Sequence, residues 1–98
     1  MASTLTNLVY HVIYSTKNRE PQISQEICGK LYRYIGGIAR GENATLLQIG
    51  GMPDHIHMLL NLKPVHALSE IMKKIKGNAS KWINDLGLLE KRFSWQEG

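Results

Sequence analysis

Hydrophobic and polar residues alternate through residues 55–62, His-Ile-His-Met-Leu-Leu-Asn-Leu, and a period of two is the signature of a β-strand. Ile56, Met58, Leu60 and Leu62 project from one face as core, and His55 and His57 project from the other. Residues 8–16 are rich in β-branched and aromatic side chains and read as a central strand, apolar on both faces. Residues 44–49 form a further strand, and the Gly50, Gly51, Met52, Pro53, Asp54 stretch is the turn of an antiparallel hairpin. Two segments change period. Ile27, Leu31, Tyr34, Ile35 and Ile38 recur every three or four residues after a candidate N-cap, Ser24, and predict a helix over 24–42. Gly36 and Gly37 inside it suggest close packing of helix on sheet. Leu68, Ile71, Met72, Ile75, Ala79, Trp82, Ile83 and Leu86 predict a second helix over 66–86, stopped by Gly87, after Pro64 ends the preceding strand. Residues 93–96 begin a fourth strand that is cut short. This order predicts an α+β, ferredoxin-like domain: an antiparallel four-stranded sheet (β-α-β-β-α-β) with both helices on one face.

Ninety-eight residues make one domain, spanning 1–98. A hydrophobic content of 43% with 20% charged residues belongs to an ordinary globular chain and argues against disorder. The single cysteine, Cys28, excludes an internal disulfide and suits a reducing compartment. No apolar run approaches the ~20 residues of a membrane span, and residues 1–7 lack the blocks of a signal peptide, so the expected location is the cytoplasm. Twelve Lys and Arg against eight Asp and Glu give a net charge of +4, which favours a polyanionic partner.

Two neutral imidazoles on one strand face form half of a site for a divalent metal. The same pattern also describes two solvated polar residues on an exposed face. A His-X-His-X-His hydrolase would need a histidine where the chain has Leu59. Asp54 should point to the face opposite His55, and Cys28 is the only thiol, so a self-contained zinc site is weakly supported. His11 either shares the face of His55 and His57, if the two strands are neighbours, or is a satisfied core histidine. His66 reads as surface. Lys74 and Lys81 lie on one flank of the second helix, two turns apart, as a nucleic-acid patch or as a solvated surface with a Glu70 to Lys74 pair. Tyr32 and Tyr34 read as helix-face residues.

Residues 51–60, Gly-Met-Pro-Asp-His-Ile-His-Met-Leu-Leu, resemble the His-hydrophobe-His motif of the HUH-type single-strand DNA transposases of small bacterial insertion sequences and their REP-associated tyrosine transposase relatives. Three other segments agree in order: Tyr-His-Val-Ile-Tyr-Ser-Thr-Lys-Asn-Arg over 10–19, Ile-Lys-Gly-Asn-Ala-Ser over 75–80, and Phe-Ser-Trp-Gln-Glu-Gly over 93–98. The resemblance implies cleavage and rejoining of single-stranded DNA through a phosphotyrosine link, with Mg2+ or Mn2+ held by His55 and His57. It implies single-stranded or hairpin DNA as partner, Lys17 and Arg19 near phosphate, and a homodimer; Lys74 and Lys81, read from their spacing, are the further DNA-contact candidates. In that family the nucleophilic tyrosine lies on a helix after the fourth strand, with a metal-binding glutamine four residues later. Neither has a counterpart up to Gly98, so the catalytic tyrosine is expected beyond that residue and the 98-residue chain is expected to be inactive. Two other readings stand beside this one: a catalytically dead remnant that binds DNA or dimerises, and a ferredoxin-like metal or small-molecule binding module.

Overall fold

The hairpin of residues 45–62 builds the middle of the molecule. A computed structural model describes residues 8–63 and 67–97. Its elements in chain order are β1 (Leu8–Ser15), a 3-10 turn (Lys17–Arg19), α1 (Gln25–Gly41), β2 (Thr45–Met52), β3 (His55–Leu62) and α2 (Leu68–Leu86). The strands form an antiparallel sheet in the order β1-β3-β2. The central strand is therefore β3, and β1 lies at an edge. Along β1 the pattern alternates: Val12 and Tyr14 are buried, whereas Val9, His11 and Ile13 are exposed. The expectation of a central strand buried on both faces fails because the helices cover only the face that carries Val12 and Tyr14, and because the element that would flank the outer edge of β1 is almost absent.

That element is the predicted fourth strand. It reduces to one antiparallel bridge between Thr16 and Trp95, with Lys17 N donating to Ser94 O at 2.9 Å and Gln96 N to Ser15 O at 2.7 Å. Side chains hold the segment in place of a ladder. Asn84 bonds both the N–H and the C=O of Phe93, and Trp95 Nε1 donates to the Lys76 carbonyl. Phe93 and Trp95 enter the core. The sheet thus has three strands among the described residues.

Both helices cover the same face. Ile56, Met58, Leu60 and Leu62 of β3 are buried there with Ile27, Leu31, Ile35 and Ala39 of α1 and Ile71, Ile75, Ala79 and Ile83 of α2. Each of the β3 side chains contributes about 1.5–3 kcal/mol by leaving water. Tyr34 stacks on Trp82 between the helices, with ring centroids 5.0 Å apart. Ser24 occupies the N-cap of α1, but its hydroxyl makes no capping bond. Gly87 ends α2 in the left-handed conformation, as predicted. At Gly36 a Cβ would make only ordinary contact with Leu46, at 3.7 Å, and at Gly37 it would meet only Arg40, so close packing does not require either glycine. The hairpin turn is confined to Pro53 and Asp54, because Gly50, Gly51 and Met52 pair with β3. Pro64 and His66 lie outside the described residues. Among the described residues no helix is long and apolar enough to cross a membrane.

Candidate metal centre on the open sheet face

The face left uncovered by the helices carries three histidines. His55 and His57 stand side by side on β3, with ring centroids 6.4 Å apart. His11 reaches the same face from β1, and its ring meets that of His57 nearly at right angles at 5.9 Å. His11 is therefore exposed beside the pair, and the buried alternative for it is excluded. β3 is hydrogen-bonded on both sides, so the pair sits on the most constrained backbone of the sheet. Ile13 is paired with His57 and Met52 with His55, and both flanking side chains are 61% exposed. Gly50 is paired with His57 as well, and a Cβ there would lie 3.5 Å from Cε1 and Nε2 of the His57 ring. Glycine leaves the space over which that ring lies.

His55 is held by a carboxylate. Asp54 Oδ1 lies 2.9 Å from His55 Nδ1, while Asp54 Oδ2 accepts bonds from Arg19 Nε at 3.1 Å and pairs with Nη2 at 3.0 Å. The expectation that Asp54 faces away from His55 fails because Asp54 belongs to the turn, where strand alternation does not apply. Its backbone is pinned too: the Asp54 carbonyl accepts from both the N–H and the hydroxyl of Thr16, which is fully buried. Arg19 reaches it from a turn in which Asn18 and Arg19 both take left-handed backbone angles, φ 57° and 55°. The hydrogen bond from His55, and then Arg19, hold the Asp54 carboxyl below its ordinary range against an opposing push from partial burial. An ionised Asp54 accepts from Nδ1–H, which leaves the Nε2 lone pair of a neutral His55 free to bind.

As a donor set, two imidazole nitrogens suit a divalent ion that takes its remaining ligands from water or phosphate. Among the described residues no cluster of three or more His, Cys, Asp or Glu side chains is arranged to hold an ion. Of the four basic candidates, Lys17 is exposed at the end of β1, and Arg19 is committed to Asp54. Lys74 and Lys81 belong to the helical layer, where Lys74 pairs with Glu42 at 3.0 Å and Lys81 with Asp85 at 2.8 Å. The bond to Asp85 raises the Lys81 ammonium pKa. These two lysines are not brought together with the histidines, and the Glu70 to Lys74 pair is replaced by one to Glu42, the C-cap of α1.

No tyrosine reaches the open face either. Tyr14 is buried under α2, its hydroxyl donates to the Met72 carbonyl at 3.0 Å, and burial pushes its pKa far up. Tyr10 is half-buried on the same covered face, and Tyr32 and Tyr34 lie on α1. Sequence reasoning missed the Asp54 to His55 bond, whose available signal was the acidic residue in the turn immediately before the first histidine.

The model of the family "Transposase IS200 like" matches residues 4–98. The chain is 33% identical over 84 residues to the transposase for insertion sequence element IS200 of Salmonella typhimurium, covering 82% of this chain and 53% of that protein. It is 30% identical over 74 residues to the ISDra2 transposase TnpA of Deinococcus radiodurans, covering 76% and 53% respectively. The chain thus spans about half the length of these curated relatives. Among solved structures, a Deinococcus radiodurans protein assigned as a transposase superposes with a TM-score of 0.78 at 29% identity, over 82% of this chain and 62% of that one. A REP-associated tyrosine transposase bound to a REP hairpin shares the fold, with a TM-score of 0.69 at 19% identity, over 95% and 53%.

Proposed function

Because the chain belongs to the IS200-like transposase family, we propose that its open sheet face engages single-stranded DNA and holds a divalent cation, Mg2+ or Mn2+, at His55 and His57. The observation that carries this reading is the paired imidazoles on the exposed face of β3, one of them oriented by Asp54. When bound, the ion would polarise a non-bridging oxygen of the scissile phosphate. His55 and His57 would supply nitrogen ligands, Asp54 would keep His55 in the tautomer that binds through Nε2, and Gly50 would leave the His57 ring its place. Ile13 and Met52 flank the pair with apolar surface suited to unstacked bases. The reaction would be phosphoryl transfer to a tyrosine, with the resulting phosphotyrosine link later resolved by strand transfer. The outer edge of β1 offers backbone groups to a second copy, which supports a homodimer joined through its sheets.

A second reading, DNA binding without cleavage, is favoured by one observation: Tyr10, Tyr14, Tyr32 and Tyr34 all lie away from the histidine face. Mn2+ titration followed by electron paramagnetic resonance, beside fluorescence anisotropy with a single-stranded hairpin oligonucleotide, tests the proposal. Weak Mn2+ binding that disappears in the His55→Ala/His57→Ala variant is the expected result. Undiminished Mn2+ binding in that variant would move the ion elsewhere, and absence of DNA binding at low salt would favour the small metal-binding module.

A further inference from the structure

The C-terminal segment and α2 line an open cleft of about 450 Å3 beside the end of β1. Lys17, Lys76 and Arg92 line it together with Gly77 and Ser80 of α2, and Glu97 is its only acidic lining residue. A second depression of about 310 Å3 continues past Lys17 and Arg92 toward Asn18, Gln22 and Lys91. Charge is distributed unevenly over the basic residues. Arg19, Lys74, Lys81 and Lys91 each face a carboxylate, whereas among the described residues none pairs with Lys17 or Arg92. Lys76 has neutral partners: its Nζ donates to the Gln96 carbonyl at 3.1 Å and lies 5.4 Å from the centroid of the Tyr14 ring.

Two features make the cleft suit an extended chain. At Gly77, in the middle of α2, open space stands where a Cβ would be, so a ligand can approach the helix backbone. Lys17 and Arg92 border both depressions, so the basic lining runs on past the end of β1. The cations are spaced along an open groove and do not enclose a single anion. We infer that this cleft binds the phosphodiester backbone of single-stranded DNA through Lys17, Lys76 and Arg92, an inference that rests on the reading that the protein engages such DNA.

Fluorescence anisotropy with a labelled oligothymidylate, repeated over a range of salt concentrations, tests it. Single-strand affinity falls with log salt at a slope of about 0.7 per phosphate neutralised, so Lys17→Gln and Arg92→Gln should each reduce the slope by about 0.7 and weaken binding roughly threefold to tenfold. Glu97→Gln should tighten binding, and Lys30→Gln, a matched change on α1, should leave it unaltered. Gly77→Ala should raise the melting temperature yet weaken binding; Gly29→Ala, an equally open helical position in α1, should raise the melting temperature alone. Wild-type binding with an unchanged slope in the Lys17→Gln/Arg92→Gln variant would overturn the cleft assignment while leaving the single-strand reading intact. No wild-type binding at low salt would overturn both. Displacement of the oligonucleotide by equimolar inorganic phosphate would assign the cleft to a free anion instead.

Discussion

Two adjacent glycines should respond very differently to the same added methyl group. In Gly51→Ala the new Cβ would overlap the carbonyl oxygen of His55 and lie 2.8 Å from the Cα of Ile56. Both obstacles are backbone of the central strand, so no flexible side-chain end can give way, and β2 has to move off β3 beside the first histidine. Overpacking of this kind costs about 1–3 kcal/mol, which for a domain of this size corresponds to a loss of about 4–24 °C in melting temperature. Gly50→Ala places its Cβ in ordinary contact, 3.5 Å from the His57 ring. Its effect on stability should stay within about 1 kcal/mol. Gly50→Val should separate fold from site: the strand tolerates valine, but the branched methyls occupy the space of the His57 ring and Mn2+ affinity falls. Thermal denaturation by circular dichroism, together with Mn2+ titration of each variant, reads all three. A Gly51→Ala protein that melts with the wild type would refute the close apposition of β2 and β3, and unchanged Mn2+ affinity in Gly50→Val would refute the placement of His57.

Asp54→Asn should lower Mn2+ affinity about 10- to 100-fold while leaving the backbone bonds from Thr16 in place, since it removes the charged acceptor that orients His55; nitrogen-15 spectra of the imidazole check the loss of the Nδ1–H tautomer directly. Arg19→Ala should shift the same spectra less, because His55 keeps its carboxylate. Acid should act on the turn with a defined sign: a carboxyl whose folded pKa lies below its ordinary 3.8 contributes stability above that value and loses it as pH falls through the lowered one. An NMR titration should therefore place the Asp54 midpoint below 3.8, and Asp54→Asn should abolish this part of the acid dependence. Incubation of the 98-residue polypeptide with labelled single-stranded DNA and Mn2+ should give no protein-linked band on a denaturing gel, and such a band would assign the nucleophile to Tyr10, Tyr14, Tyr32 or Tyr34.

Much of the covered face was legible because burial imposes a period. Ile56, Met58, Leu60 and Leu62 announce a strand at every second position, and the stripes from Ile27 to Ile38 and from Leu68 to Leu86 announce helices at every third or fourth. That β1 is an edge strand with one open face was not legible, because Val9 and Ile13 are as apolar as Val12 yet stand exposed on the side away from the helices, and because the fourth strand shrinks to the Thr16 to Trp95 bridge. At the site, the shared face of His55 and His57 follows from alternation alone. The partners of His55 do not, because Asp54 lies in a turn and Arg19 reaches it through a left-handed backbone that a sequence pattern does not encode. Lys74 and Lys81 illustrate the reverse difficulty: their spacing on α2 is as expected, but Glu42 arrives from a distant element and Asp85 from the next turn to neutralise them.

The two faces of β3 divide the work of the domain, and the division bears on where a nucleophile can come from. Everything on the even positions is committed to packing under the helices, and the hydroxyl of Tyr14 is committed with them through its bond to the Met72 carbonyl. An attacking oxygen has to lie about 3–3.5 Å from phosphorus and in line with the leaving group. A tyrosine on the covered face has the sheet itself between it and a phosphate held at His55 and His57, and one on α1 stands a further layer away, about 10 Å on the usual spacing of packed layers. Rotamer changes cannot cross that distance, and moving β1 to expose Tyr14 would strip Val12 from the core and break the pairing that aligns Ser15 with His55. On the proposed reading, an ion held at His55 and His57 would prepare a phosphate for attack independently of the oxygen that attacks. A phosphotyrosine mechanism on this scaffold requires its tyrosine to arrive from the solvent side of the sheet, on an element other than the three strands and two helices described.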